Sequence, residues 1–184
     1  LRERFEPGNP QEGYSPSPQE RQSWLQISYM KEAYHTMGPK FTLGWMAEAL
    51  YSSKNFSENY TATMMQAGEF APTPHSKLMY NEAFRANQYV AAGIKPIYVL
   101  NDMFQFRTEF YGFTPIFPIK KNALNKAYYG KAFSRFEYMG EVSVICHLPF
   151  GAISAYVNHY SSPRREWNVG MTIGWQLFNY RFVE

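Results

Sequence analysis

The sequence predicts an all-β fold: an antiparallel transmembrane β-barrel, with about eight strands in this chain. Three observations carry that expectation. Apolar and polar residues alternate with a period of two over most of the chain, the period of a strand with one dry face. The alternating runs extend over about 11–15 residues, longer than a typical soluble strand and long enough to cross a bilayer at a tilt. Aromatics are in excess, with 15 Phe, 15 Tyr and 4 Trp among 184 residues, yet the mean hydropathy is only −0.45. A lipid-facing parity averaged with a polar one gives that combination.

Residues 1–22 are polar, rich in Pro and Gly and aperiodic, so they read as a loop or connector. The barrel is expected over 23–184. Residues 23–36 alternate Leu25, Ile27 and Tyr29 against Gln26 and Ser28, although Lys31 falls on the apolar parity. That lysine is placed near the strand's end, where its stem can reach the interface. In 40–53, Phe41, Leu43, Trp45, Ala47, Ala49 and Tyr51 alternate with residues that include Glu48. Residues 59–69 alternate less cleanly and are the third strand. Segment 70–88 is a long loop. In 89–100, Val90, Ala92, Ile94, Tyr98 and Leu100 oppose Gly93 and Lys95. In 102–114, Phe104, Phe106 and Phe110 oppose Gln105, Arg107, Glu109 and Tyr111. A second long loop, 115–134, leads to 135–148, where Tyr138, Val142, Val144, Cys146 and Leu148 oppose Arg135, Glu137, Glu141, Ser143 and His147. Strands 151–160 and 167–180 complete the set, the latter with Trp167, Val169, Met171, Ile173 and Trp175 on one parity. No segment reads as a helix. Stretches 36–40, 100–103 and 148–151 read as tight turns.

The phase of the charges favours lipid on the apolar side. An Arg or Lys facing lipid at the midplane costs about 2–4 kcal/mol, whereas one facing the lumen is tolerated. The competing arrangement is a soluble β-sandwich or lipocalin-like barrel with the apolar parity inward. Trp24, Trp45, Trp167, Trp175 and the many Phe would overfill such an interior.

Composition excludes several functions. A single Cys forbids an internal disulfide framework or a multi-cysteine zinc site. A net charge of +3 is too small to argue for nucleic acid. His35, His75, His147 and His159 are scattered without metal-ligand spacing. No G-x-S-x-G is present, and Asp102 is the sole Asp. No catalytic, cofactor-binding or metal-binding residue is therefore expected here. Lys120, Lys121, Lys126 and Lys131, in or beside the second long loop, read most simply as a solvated surface within reach of lipid phosphates. Leu1 is not an initiator Met and no secretory leader opens the chain, so a processed protein or a piece of a longer one is expected.

Three stretches together carry a resemblance: N-Y-T-A-T-M-M-Q-A at 59–67, P-T-P-H-S-K…F-R-A-N-Q-Y-V-A-A-G-I-K at 72–95, and F-Q-F-R-T-E-F-Y-G-F at 104–113. With the terminal L-F-N-Y-R-F-V-E, they resemble the C-terminal region of bacterial patatin-like phospholipases of the Bacteroidetes kind. Those proteins carry a surface-antigen-type outer-membrane barrel after a Ser–Asp acyl hydrolase domain. The resemblance implies a barrel of about sixteen strands, of which this chain supplies the C-terminal half, with loop 70–88 folded into the lumen. A complete eight-stranded barrel has no room for such a loop. The implied localisation is the bacterial outer membrane, and the implied role is to anchor or position an upstream lipid hydrolase. The alternative is a porin-like or assembly-type barrel without an enzyme. The implied partners are outer-membrane lipid and the N-terminal half of the same barrel, with a homodimer left open and no nucleic acid.

The resemblance also assigns Phe84-Arg85-Ala86-Asn87 to a loop-tip motif, although Ala86 stands where that motif has Gly. Three strands are expected before the tip and five after it. The tip arginine of such barrels contacts a polar or acidic group in the lumen, so Arg85 is expected to meet Glu109. Lys95, Arg107, Glu137 and Glu141 are expected as further lumen charges in an ion-pair network.

Overall fold

The computed structural model describes residues 23–161 and 167–175. The expected connector 1–22, the stretch 176–184 and the side chain of Trp175 lie outside the described residues. The chain runs through β1 (Gln26–Thr36), β2 (Phe41–Ser52), a helix α1 (Tyr60–Gln66), β3 (Gly68–Glu69), a 3₁₀ turn (Glu82–Phe84) and β4 (Arg85–Ala86). It continues through β5 (Gln88–Val99), β6 (Phe104–Pro115), β7 (Ile119–Lys121), β8 (Ala127–Tyr129), β9 (Glu137–Leu148), β10 (Gly151–Tyr160) and β11 (Trp167–Trp175). The fold is all-β. Seven strands form one antiparallel sheet in the order β1-β2-β5-β6-β9-β10-β11, while β3 pairs with β4 and β7 with β8. Among the described residues the sheet is open, with β1 and β11 at its edges.

The sheet is a meander because long and short connections alternate. Residues 37–40, 100–103 and 149–150 turn the chain at one end; Gly38 supplies the positive φ that the first of these needs. Residues 53–87 and 116–136 cross at the other end. Five of the seven long strands run to 11 or 12 residues.

The third expected strand is instead a helix, so two long strands rather than three precede Arg85. The Asn59 side chain caps it by accepting from the Ala62 N–H at 2.8 Å. Tyr60, Thr63, Met64 and Ala67 recur at helical spacing, and Met64 and Ala67 are buried with Ile119 of β7 against Phe56 and Ala127. Packing of that one face outweighs the loose alternation seen in the sequence.

The two faces of the sheet are unlike. One carries Tyr89, Ala91 and Lys95 of β5, Arg107, Glu109, Tyr111 and Phe113 of β6, and Met139, Glu141 and Ser143 of β9; most of these are buried. Segment 70–86 lies over this covered face. Phe70 and Phe84 pack among Met46, Leu50, Tyr89, Tyr111, Phe113, Met139 and Tyr160, a core drawn from five strands. Burying each such phenylalanine is worth about 1.5–3 kcal/mol. The other face is bare. It presents Ile27, Tyr29, Tyr51, Val90, Ile94, Tyr98, Phe104, Phe106, Phe110, Tyr138, Val142, Val144, Val157, Trp167, Val169, Met171 and Ile173 to the surroundings, with Val169 80% exposed.

Lys31 is the single charged residue on the bare face among the described strands. It sits at the middle of β1 opposite Ala47, not near the strand's end as expected. Its ammonium lies 5.8 Å from the centre of the Trp45 ring, so an aromatic face holds the charge.

Candidate functional site

The polar groups converge on the covered face, because strand alternation and register put them there. Glu109 on β6 stands opposite Glu141 on β9, Glu141 opposite Asn158 on β10, and Asn158 opposite Asn168 on β11. A row of acids and amides thus runs across four strands at one level. Lys95, Arg107, Glu109, Glu137 and Glu141 all project to this face, and Glu109 and Glu141 are 3% and 4% exposed.

Arg85 does not meet Glu109. Its Nη2 pairs with Glu69 Oε2 at 2.5 Å, because β3 and β4 place Glu69 directly opposite Arg85. Its Nη1 donates to the carbonyls of Met64, Met65 and Ala67 at 3.4, 3.1 and 3.3 Å, and the guanidinium covers the Tyr80 ring at 4.8 Å. Arg85 therefore caps the C-terminus of α1, where free carbonyls and the helix dipole attract a cation. Glu109 finds its partners in its own strand. Arg107 Nε lies 2.6 Å from Glu109 Oε1, and the Tyr111 hydroxyl donates to Glu109 Oε2. Residues two apart on a strand share a face, which makes both contacts local.

Lys95 reaches farther. Its ammonium pairs with Glu32 of β1, two strands away, crossing β2 at Gly44. Gly44 has no side chain to obstruct it: a Cβ there would fall 3.1 Å from Lys95 Cβ and 2.6 Å from the Tyr34 ring. Glu32 also accepts from the Tyr34 hydroxyl at 2.5 Å. Arg135 pairs with Glu137 at 2.7 Å, and Ser161 Oγ donates to the other Glu137 oxygen at 2.5 Å. Among the described residues Glu141 has no basic partner within ion-pair reach; Asn158 and Thr73 are its polar neighbours.

Three tyrosines lie over glycines of the neighbouring strand, all on the covered face: Tyr34 over Gly44, Tyr111 over Gly93 and Tyr156 over Gly170. Each glycine makes the recess its ring fills, an aromatic cross-strand pair with no Cβ between.

Outside the long strands, His75 Nδ1 is 2.9 Å from the Tyr160 hydroxyl, and burial holds its imidazole below the usual histidine range. The Tyr60 hydroxyl donates to Glu82, and burial followed by that bond pushes its pKa well above the ordinary phenol value. The site is thus a set of paired charges with tyrosine donors. Phe70 and Phe84 hold segment 70–86 against the sheet, and the hydroxyls of Tyr34, Tyr111 and Ser161 each donate to a carboxylate on the covered face.

Sequence reasoning missed Glu69, Glu32 and the tyrosine–glycine pairs, since each depends on register or on a two-residue strand. The capping Asn59 with Tyr60, Thr63, Met64 and Ala67 was the signal that could have found α1. The chain matches no protein-family model, no curated protein and no solved structure.

Proposed function

We propose that this chain is the C-terminal half of a transmembrane β-barrel of the bacterial outer membrane, with its bare face toward lipid and its covered face toward the lumen. The observation that carries the reading is the contrast between the faces. Glu32, Glu48, Lys95, Arg107, Glu109, Glu137 and Glu141 project to one face of the long strands and only Lys31 to the other. A soluble sheet is built the other way, with apolar residues buried and charges in water. A bare apolar surface of this extent marks contact with lipid or another apolar partner. The residues are also layered. Tyr29, Tyr51, Tyr138 and Trp167 stand near the long-loop end, Tyr98, Phe104 and Phe106 near the short-turn end, and Ala47, Ile94, Val142, Val157 and Met171 between them, with Trp45 and Phe110 the two rings level with Ile94. Aromatic girdles around an aliphatic belt are the pattern of a barrel wall. The open edges β1 and β11 are where the N-terminal half of the barrel would pair.

The proposed role is to anchor and position a lipid acyl hydrolase that precedes this segment, with segment 70–86 filling the lumen. The three stretches of resemblance support that part of the reading. The test is fractionation of the full-length protein. Acyl hydrolase activity that stays with alkaline-washed outer membranes, and becomes soluble when 23–184 is removed, is the expected result. Activity unaffected by that removal would count against an anchor, and absence of any hydrolase domain would leave a porin-like or assembly-type barrel.

A further inference from the structure

We infer that the β7–β8 hairpin binds the phosphates of anionic lipids in the leaflet at the long-loop end of the sheet; the inference rests on the membrane reading above. Lys120, Lys121, Lys126 and Lys131 are all exposed on or beside this hairpin. No acidic residue occurs between Glu109 and Glu137, and none of the four lysines has a carboxylate within ion-pair reach among the described residues. The positive field of the hairpin is therefore uncompensated among the described residues.

The scaffold under the lysines is fixed. Asn122 Oδ1 accepts from the Leu124 and Lys126 N–H groups at 2.9 and 2.8 Å, and Asn125 takes the positive φ the tip needs. The Gly130 N–H donates to the Pro118 carbonyl at 2.7 Å, and the Phe133 N–H to the Ile116 carbonyl at 2.9 Å, tying the hairpin to the end of β6. Ile119 is buried against α1. The hairpin also adjoins the bare face. Phe136 lies over Gly112 on that face, and Phe110 stacks on Tyr138 at 6.0 Å beside it. From Val142 through Tyr138 and Phe136 to the lysines, the order of side chains is that of a membrane moving from tails to headgroups. Lipid phosphate is the anion this sequence of layers brings to the lysines.

The experiment is vesicle flotation of the full-length protein, carrying both halves of the barrel and refolded from detergent, with phosphatidylcholine alone and with phosphatidylcholine plus phosphatidylglycerol. The wild type is expected to associate with both, and about ten-fold more strongly with the anionic vesicles, the excess vanishing at high salt. The variant K120Q/K121Q/K126Q/K131Q should lose that excess while keeping its association with neutral vesicles. K120Q/K121Q should lose part of it and the charge-matched control K40Q/K77Q none. Equal binding to both vesicles, or an equal loss in the two double variants, would overturn the inference and leave the membrane reading intact. No folded association with either vesicle would sink the membrane reading itself.

Discussion

The two faces of one sheet are made by the same strands and obey opposite rules. On the covered face, most charged groups are matched: Lys95 with Glu32, Arg107 and Tyr111 with Glu109, Arg135 and Ser161 with Glu137, and Tyr89 with Glu48, while Glu141, Asn158 and Asn168 keep buried polar atoms unpaired among the described residues. On the bare face, large apolar groups are exposed and the lone lysine is held over an indole. On the proposed membrane reading, the strands alternate between two environments, a matched lumen and lipid, rather than between a core and water. A polar group on the covered face needs a specific partner, whereas a residue on the bare face needs only to be apolar.

Putting a charge on the bare face should have the largest effect. Val142→Arg, at the middle of β9, is expected to lower the stability of the lipid-inserted protein by about 2–4 kcal/mol, read as the denaturant midpoint in vesicles. A change below about 0.5 kcal/mol would mean that this face meets water. Next comes an unmatched charge on the covered face. Lys95→Met strands Glu32, which is partly exposed, so a loss of about 1–3 kcal/mol is expected, and the double variant with Glu32→Gln should recover most of it. Failure of the second change to restore stability would refute the pairing. Filling a recess comes third: Gly93→Ala drives a Cβ into the Tyr111 ring and is expected to cost about 1–3 kcal/mol.

The smallest effects concern the edges of this scheme. Glu141 faces Glu109 across the strand pair with no basic partner among the described residues, so Glu141→Gln should be neutral or stabilising by less than about 1 kcal/mol. Loop 70–88 should loosen in acid. Burial lowers the His75 pKa in the folded state, so the unfolded loop binds the proton more readily; the loop's stability is fully present above the ordinary histidine range and falls as pH drops through it. The amide protection factors of residues 70–86, which are corrected for the pH dependence of intrinsic exchange, are expected to fall between about pH 7 and about pH 5, and His75→Phe should remove that fall. Protection factors that are flat with pH in the unsubstituted protein would contradict the docking of His75 on Tyr160.

The long strands were legible because a period of two needs only the local sequence. Phe104, Phe106 and Phe110 against Arg107 and Glu109 declare two faces without any knowledge of neighbours. The helix at 60–66 was not read, because it is short and its core face is completed only when Ile119, far along the chain, packs on it. The partner of Arg85 was misassigned for a related reason. Parity places Arg107, Glu109 and Tyr111 on one face, but the Glu69–Arg85 ladder exists only once 70–84 has folded back. The Lys95–Glu32 pair is likewise invisible in sequence, since its route depends on register bringing Gly44 between them.

The account stands or falls on what the bare face touches. With Cys146 replaced by Ser, single cysteines placed from 138 to 145 on β9 can be labelled in the vesicle-inserted protein with a lipid-quenchable fluorophore. Labels at 138, 142 and 144 should be quenched strongly by brominated acyl chains, and labels at 139, 141, 143 and 145 weakly, a period of two in phase with the apolar residues. Strong labelling at 142 and 144 by a membrane-impermeant charged maleimide, with no alternation in quenching, would contradict it.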